Sequence, residues 1–409
     1  MSEMTVTRMG LFGRLATLTV LAAGWSTAAY LLWASSIVPD GLELPDVDPH
    51  AYLPDRILAR ANSFERFLRW NFALSTVALF GALAFYARRG ERFMRESAAG
   101  RIGTGMLLGM LGFAIVWITQ LPFSIASFWW ARRYGLAEGD YFSYVFGDWL
   151  VLGFTFLSLC LALLIVMGLA GWIGRWWWVL GGPVFVGIAA LFLFVYPYLS
   201  DLDRPRDRAL VAQGRAIAAK TGVDDVPLRI EKVSDQTKLV NAWAAGFGPS
   251  RRVVLWDTLL DGRFSDEEVG VVIAHEYGHH ARAHLSKGLA WYALFAIPGA
   301  FLIELLTRRK GGMRNPAAVP LSLLVLVALQ FVALPVDNVI SRRMEAEADW
   351  TALETTRRPK AAERLFAGFT RTSLSDPDPP TWSYVLLDSH PTIEQRIAMA
   401  EAWAARRGR

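Results

Sequence analysis

Residues 271–284, VVIAHEYGHHARAH, set four of the chain's six histidines within ten residues of one another. His275 and His279 bracket Glu276 in the pattern HExxH. On a helix, residues four apart share a face, so both imidazoles can turn a nitrogen toward one ion with Glu276 beside it. Zinc suits such a set, because it is redox-inert and activates water near neutral pH. A neighbouring carboxylate can take the proton of that water and return it to a leaving amine. The spacing therefore predicts a hydrolytic metal site, with Glu276 as its catalytic base. HExxH fixes only three positions, but these three polar residues on an otherwise apolar helix would be costly without a partner.

A catalytic zinc needs a third protein ligand. The longer pattern HExxHxxGxxH is not met, since Arg282 and Leu285 stand where its glycine and last histidine would be. His284 lies too far along the same helix to reach the ion and reads as a supporting residue. His280 reads as outward-facing and not a ligand. Glu304 is a candidate, although it could equally reach the membrane interface beside Arg308 and Arg309. The best candidate lies in SRRMEAEADW, residues 341–350, where Glu345 and Asp349 are one helical turn apart. One could ligate while the other accepts from a ligand histidine's second nitrogen. Glu347 would point elsewhere on that helix. Charges at the end of an apolar span are ordinarily a solvated face, so spacing leaves the choice open.

These residues sit in a chain of 409 residues that is 54% hydrophobic and 19% charged, with mean hydropathy +0.30. Seven uncharged runs account for this balance: 15–39, 70–87, 102–131, 149–174, 176–200, 288–303 and 317–336. Each is close to or above the roughly 20 residues that cross a bilayer. The first follows Arg8 and Arg14, but exceeds the usual hydrophobic core of a signal peptide and reads as an uncleaved span. Cys160 is the only cysteine, which excludes an intramolecular disulfide and a thiolate zinc site. The net charge of +5 comes from basic clusters such as RRGERFMR and RRKGGMR beside the spans, with no basic, aromatic-interleaved groove. That pattern fits a lipid bilayer and no nucleic-acid partner.

Five spans (residues 1–200) precede a polar block at 201–287; a two-span hairpin (288–336) precedes a second block at 337–409. The chemistry must be assembled from both blocks. Residues 207–222 have helical spacing and end at Gly222; 228–233 alternate as a strand. Residues 238–248 and 251–257 read as two more strands. Ser265 and Glu268 form a capping-box pair ahead of the HExxH helix. The expected fold class is a mainly α integral membrane protein, about seven helices enclosing a chamber, with a small α+β zincin-like unit.

Four segments resemble one known family, the integral-membrane zinc endopeptidases that include type I CAAX prenyl proteases and bacterial heat-shock membrane proteases. They are DQTKLVNAWAAGFGPSRRVVLWDTLL (235–260), SDEEVGVVIAHEYGHHARAH (265–284), PVDNVISRRMEAEAD (335–349) and SHPTIEQRI (389–397). They cover about a fifth of the chain and are jointly specific. The seven spans favour the prenyl-protease branch. The resemblance implies a gluzincin that holds one zinc per chain through His275, His279 and Glu345, with Asp349 behind them. It also implies that His390 and Arg396 face the site, to steady an oxyanion or hold substrate. Peptide would add along Asn241, Ala242 and the residues to Gly246 as an extra strand. Asp337 and Asn338 would line a water-filled chamber.

The expected substrate is a peptide or protein, lipid-modified or tethered to the membrane. Alternatives are a broad quality-control protease of membrane proteins and a catalytically silent zinc protein. The intact Glu276 argues against silence, since a structural zinc takes four protein ligands and needs no base. The Lys/Arg bias of the short loops would put both polar blocks outside the cytoplasm. The resemblance implies the cytoplasm of a multi-pass cell-membrane protein, and that orientation is adopted.

Overall fold

The computed structural model describes residues 11–94, 99–147 and 149–408. The apolar runs are helical, because in hydrocarbon a chain must satisfy its own backbone hydrogen bonds. In order they are α1 (Leu11–Ala34), α2 (Asp55–Arg89), α3 (Gly100–Arg133), the short α4 (Tyr141–Phe146), α5 (Trp149–Ile173) and α6 (Trp177–Leu199). The first polar block holds α7 (Arg208–Thr221), β1 (Leu228–Glu231), β2 (Ala242–Ala245), β3 (Arg252–Trp256) and α8 (Asp266–Ala281). Then come α9 (His284–Thr307), α10 (Val319–Thr356), α11 (Pro359–Ser373), α12 (Thr381–Leu387) and α13 (Ile393–Arg406).

Among the described residues, five helical stretches are long and apolar enough to cross a membrane. One of them, Leu152–Leu199, takes in two predicted spans, α5 and α6, which meet at a single tight turn, Gly174–Trp176. Gly174 has φ +62°, and the two helices pack on each other, so the chain doubles back there. The first predicted span, residues 15–39, overlaps α1, which is not among these five stretches and part of whose side chains lie outside the described residues. Small residues set the spacing of the membrane helices. A Cβ on Gly105 would fall 2.1 Å from Met167 Sδ, and one on Gly109 would fall 2.1 Å from Leu163 Cδ1. Helix α3 can approach α5 this closely only through such positions.

Helix α10 runs without a break across residue 337, so the hairpin and the second polar block share one rigid element. Its 38 residues span about 57 Å at 1.5 Å each, well beyond a hydrocarbon core of roughly 30 Å. Its distal end therefore projects into the polar unit. There it packs on α8, and α11 and α13 complete a core built around Val253, Leu255, Ile273, Leu353, Leu365 and Trp403. The sheet order is β1-β3-β2, with β1 parallel and β2 antiparallel to β3, so β2 is an edge. β2 is shorter than its alternating sequence predicts. Its N-terminal approach is diverted: the Thr237 hydroxyl accepts from the Leu239 N–H (3.1 Å), and the Thr258 hydroxyl donates to the Leu239 carbonyl (2.7 Å).

Candidate metal centre

Helix α8 is buried nearly all round, between the sheet, α7, α10 and α11, as expected of a helix whose apolar residues circle it. Its start is fixed by the capping box: Ser265 accepts from the Glu268 N–H, and the Glu268 carboxylate accepts from the Ser265 N–H at 2.7 Å. Tyr277 anchors the far side by donating to the Val226 carbonyl at 3.1 Å. At Gly278 the helix crosses α10; an added Cβ would lie 3.3 Å from Ala348 Cα. This close crossing brings Glu345 and Asp349 over the two histidines.

His275, His279 and Glu345 each offer a ligand atom, all within 4.8 Å of one another. His275 Nε2 lies 3.2 Å from Glu345 Oε2, and His279 Nε2 lies 3.5 Å from Glu345 Oε1. The two imidazole Nε2 atoms are 3.1 Å apart. Ligand atoms about 2 Å from a tetrahedral zinc lie about 3.3 Å from each other, so the triangle has the right size. Its chemistry agrees. Glu345 Oε2 is buried and has no hydrogen-bond partner, and such an atom is costly unless a cation takes it up. The residues present therefore fit a zinc ion.

The surroundings hold these ligands still. His275 Nδ1 is 2.8 Å from Asp349 Oδ1. Arg396 donates twice to Asp349, Nε to Oδ2 at 2.8 Å and Nη2 to Oδ1 at 2.6 Å, and lies over the Phe366 ring. Burial disfavours a charged His275, yet the Asp349 and Glu345 carboxylates beside its two nitrogens prevail and raise its pKa to about 10. Burial pushes the Glu276 carboxyl up to about 7, opposed in part by the backbone N–H of Ala244 on β2. His390 Nε2 stands 3.3 Å from Glu345 Oε2, and its side chain is 58% exposed.

A cavity of about 1190 Å³ opens over this cluster, and Asn241, Ala242, His275, Glu276, His390 and Arg396 all contribute to its wall. Asn241, Ala242, Glu276, Asp349 and His390 thus lie at one place with the three candidate ligands, and Arg396 spends its guanidinium on Asp349. Other expectations are corrected. His280 is buried, not outward-facing: β3 covers that side of α8, and His280 Nε2 donates to the Arg252 carbonyl at 2.8 Å. Burial lowers its pKa. Glu304 is also buried, outside the cluster, and accepts from Trp177 Nε1 at 2.8 Å. Asp337 and Asn338 do not line the cavity; Asn338 donates to the Val385 carbonyl at 3.1 Å. His284 does not continue the HExxH helix but opens α9. Glu347, which sequence spacing set aside, is buried against His284. Only its place between two site acids could have flagged it.

Two histidines on a buried helix and a glutamate on the membrane-length helix that crosses it define the class: a membrane protein with a candidate metal centre. Residues 205–404 match the model of peptidase family M48. The chain is 31% identical over 246 residues to the uncharacterized metalloprotease YhfN of Bacillus subtilis (strain 168), covering 56% of each protein. It is 26% identical over 259 residues to a CAAX prenyl protease 1 homolog of Taenia solium, covering 53% of this chain and 54% of that one. The chain thus spans about half the length of these curated relatives. The crystal structure of S. mikatae Ste24p superposes with a TM-score of 0.65 over 93% of this chain and 96% of that one. At 17% identity the likeness is one of fold.

Proposed function

We propose that the chain is a membrane-embedded metalloendopeptidase that holds one zinc through His275, His279 and Glu345. The observation that carries this reading is the Glu345 carboxylate, whose Oε2 has no hydrogen-bond partner and lies 3.2 Å from His275 Nε2 while Oε1 lies 3.5 Å from His279 Nε2, with Glu276 beside His275 in the cavity wall. Zinc bound there would supply Lewis acidity toward water and a peptide carbonyl. Glu276, buried in the cavity wall beside His275, takes the proton from water and delivers it to the leaving nitrogen. His390, exposed to the cavity, is placed to donate to developing negative charge. Asp349 orients His275, and Arg396 holds Asp349. The catalytic unit is built from residues 201–287 and 337–409, facing the cytoplasm.

The substrate is a peptide laid along edge strand β2 at Asn241 and Ala242. Phe64 and Leu68 of α2 and Phe128 of α3 also line the cavity, which favours a substrate carrying a lipid or a membrane anchor. Glu276→Gln tests the reading, because glutamine keeps the shape but cannot carry the proton. Zinc content and melting should stay as in the wild type, while cleavage of a membrane-tethered peptide should fall by roughly 10²–10⁴-fold. Undiminished cleavage would remove Glu276 from the mechanism.

A further inference from the structure

His275 has a visible outer support in Asp349 and Arg396, and His279 has one of a different kind. His279 turns Nε2 toward the cluster and Nδ1 away from it, to within 2.9 Å of His284 Nδ1. His284 Nε2 lies 3.2 Å from Glu347 Oε2, and Lys287 Nζ lies 3.6 Å from the same oxygen. His284 and Glu347 are 4% and 3% exposed, so bulk water offers no substitute partner.

Along a continuous helix, residue 284 would sit roughly 140° around the axis from residue 279. The chain avoids this by ending α8 and placing Ala283 in the left-handed region at φ 54°. For a residue with a Cβ that conformation costs about 1–2 kcal/mol. The result is that α9 opens with its first imidazole turned back on His279.

Proton assignment then has a single consistent solution. An imidazole that gives Nε2 to a cation carries its hydrogen on Nδ1. His279 Nδ1–H must donate, so His284 Nδ1 accepts and the hydrogen of His284 is on Nε2. That hydrogen points at the Glu347 carboxylate. We propose that His284 and Glu347 are positioning residues that fix the tautomer and ring angle of His279, as Asp349 and Arg396 do for His275. The inference rests on the reading of His275, His279 and Glu345 as metal ligands.

The test follows release of Zn2+ from the loaded full-length protein to a chromogenic chelator, beside melting of the metal-free protein. His284→Phe should release zinc about 10–100-fold faster, the usual effect of losing an outer support. His284→Asn keeps an acceptor for His279 but no longer reaches Glu347, and should fall in between. Glu347→Gln still accepts from His284 and should stay close to the wild type. Release at the wild-type rate from His284→Phe would overturn the proposal, and so would Glu347→Gln releasing as fast as His284→Asn. If His284→Phe does not fold, the order of the other two variants decides. A wild-type chain that takes up no zinc would overturn the metal-site reading as well. A chain that holds zinc but cleaves no peptide leaves this test intact, because cleavage is not its readout.

Discussion

Glu345 and Glu304 are both buried glutamates on helices that cross or flank the membrane region, and they have opposite fates. Glu304 is satisfied by the Trp177 indole N–H, whereas Glu345 Oε2 has no hydrogen-bond partner and stands beside His275. A carboxylate already holding a donor gains little from a metal, while an orphaned one gains its whole solvation deficit back. His275→Ala, His279→Ala and Glu345→Ala should therefore each lose zinc, measured as metal per chain after purification. Glu304→Ala and His280→Ala should retain it. Asp349→Ala should weaken zinc binding by about 10–100-fold without abolishing it. Zinc kept by Glu345→Ala and lost by Glu304→Ala would reverse the assignment.

Among the elements, the crossing of α8 and α10 decides whether these residues meet at all. Gly278 is the contact: an added Cβ would lie 3.2 Å from Thr351 Cβ and 3.3 Å from Ala348 Cα. Gly278→Leu should force α10 outward, at an overpacking cost of about 1–3 kcal/mol, and carry Glu345 off the histidines. A lowered melting temperature together with lost zinc is expected, and Gly278→Ala should be milder on both counts. Wild-type zinc and melting in Gly278→Leu would show that the crossing does not set the site. This level was only partly legible in the sequence. The capping box at Ser265, the αL glycine ending α7 at Gly222 and the i,i+4 pair Glu345 and Asp349 are local signals, and the structure places each accordingly. The break between α8 and α9 had no such signal, because its left-handed residue is Ala283 in a stretch with no glycine or proline after Gly278. Reading the helix as continuous hid both His284 and Glu347. The shortening of β2 was equally hidden, since it depends on the hydroxyl of Thr258, 19 residues from Leu239.

For the whole molecule, the two polar blocks are separated by α9 and α10, two membrane-length helices, so both blocks lie on one side of the bilayer. Which side sets the substrate pool: a cytoplasmic site meets newly made and lipid-modified tails, an external one meets secreted segments. The loop charges argue for the outside, and the proposed function argues for the cytoplasm, so the two arguments are separable by one measurement. Cys160 is the only cysteine and is buried in α5. A single thiol introduced by Lys220→Cys, at the exposed end of α7, is then the one position a membrane-impermeant maleimide can reach. In sealed right-side-out vesicles it should stay unlabelled, and it should react fully once detergent opens them. Labelling of intact right-side-out vesicles would place the metal centre outside the cell and remove lipid-modified cytoplasmic tails from its substrates. The geometry of His275, Glu276, His279 and Glu345 would stand in either case, because nothing in that cluster depends on which way the bilayer faces.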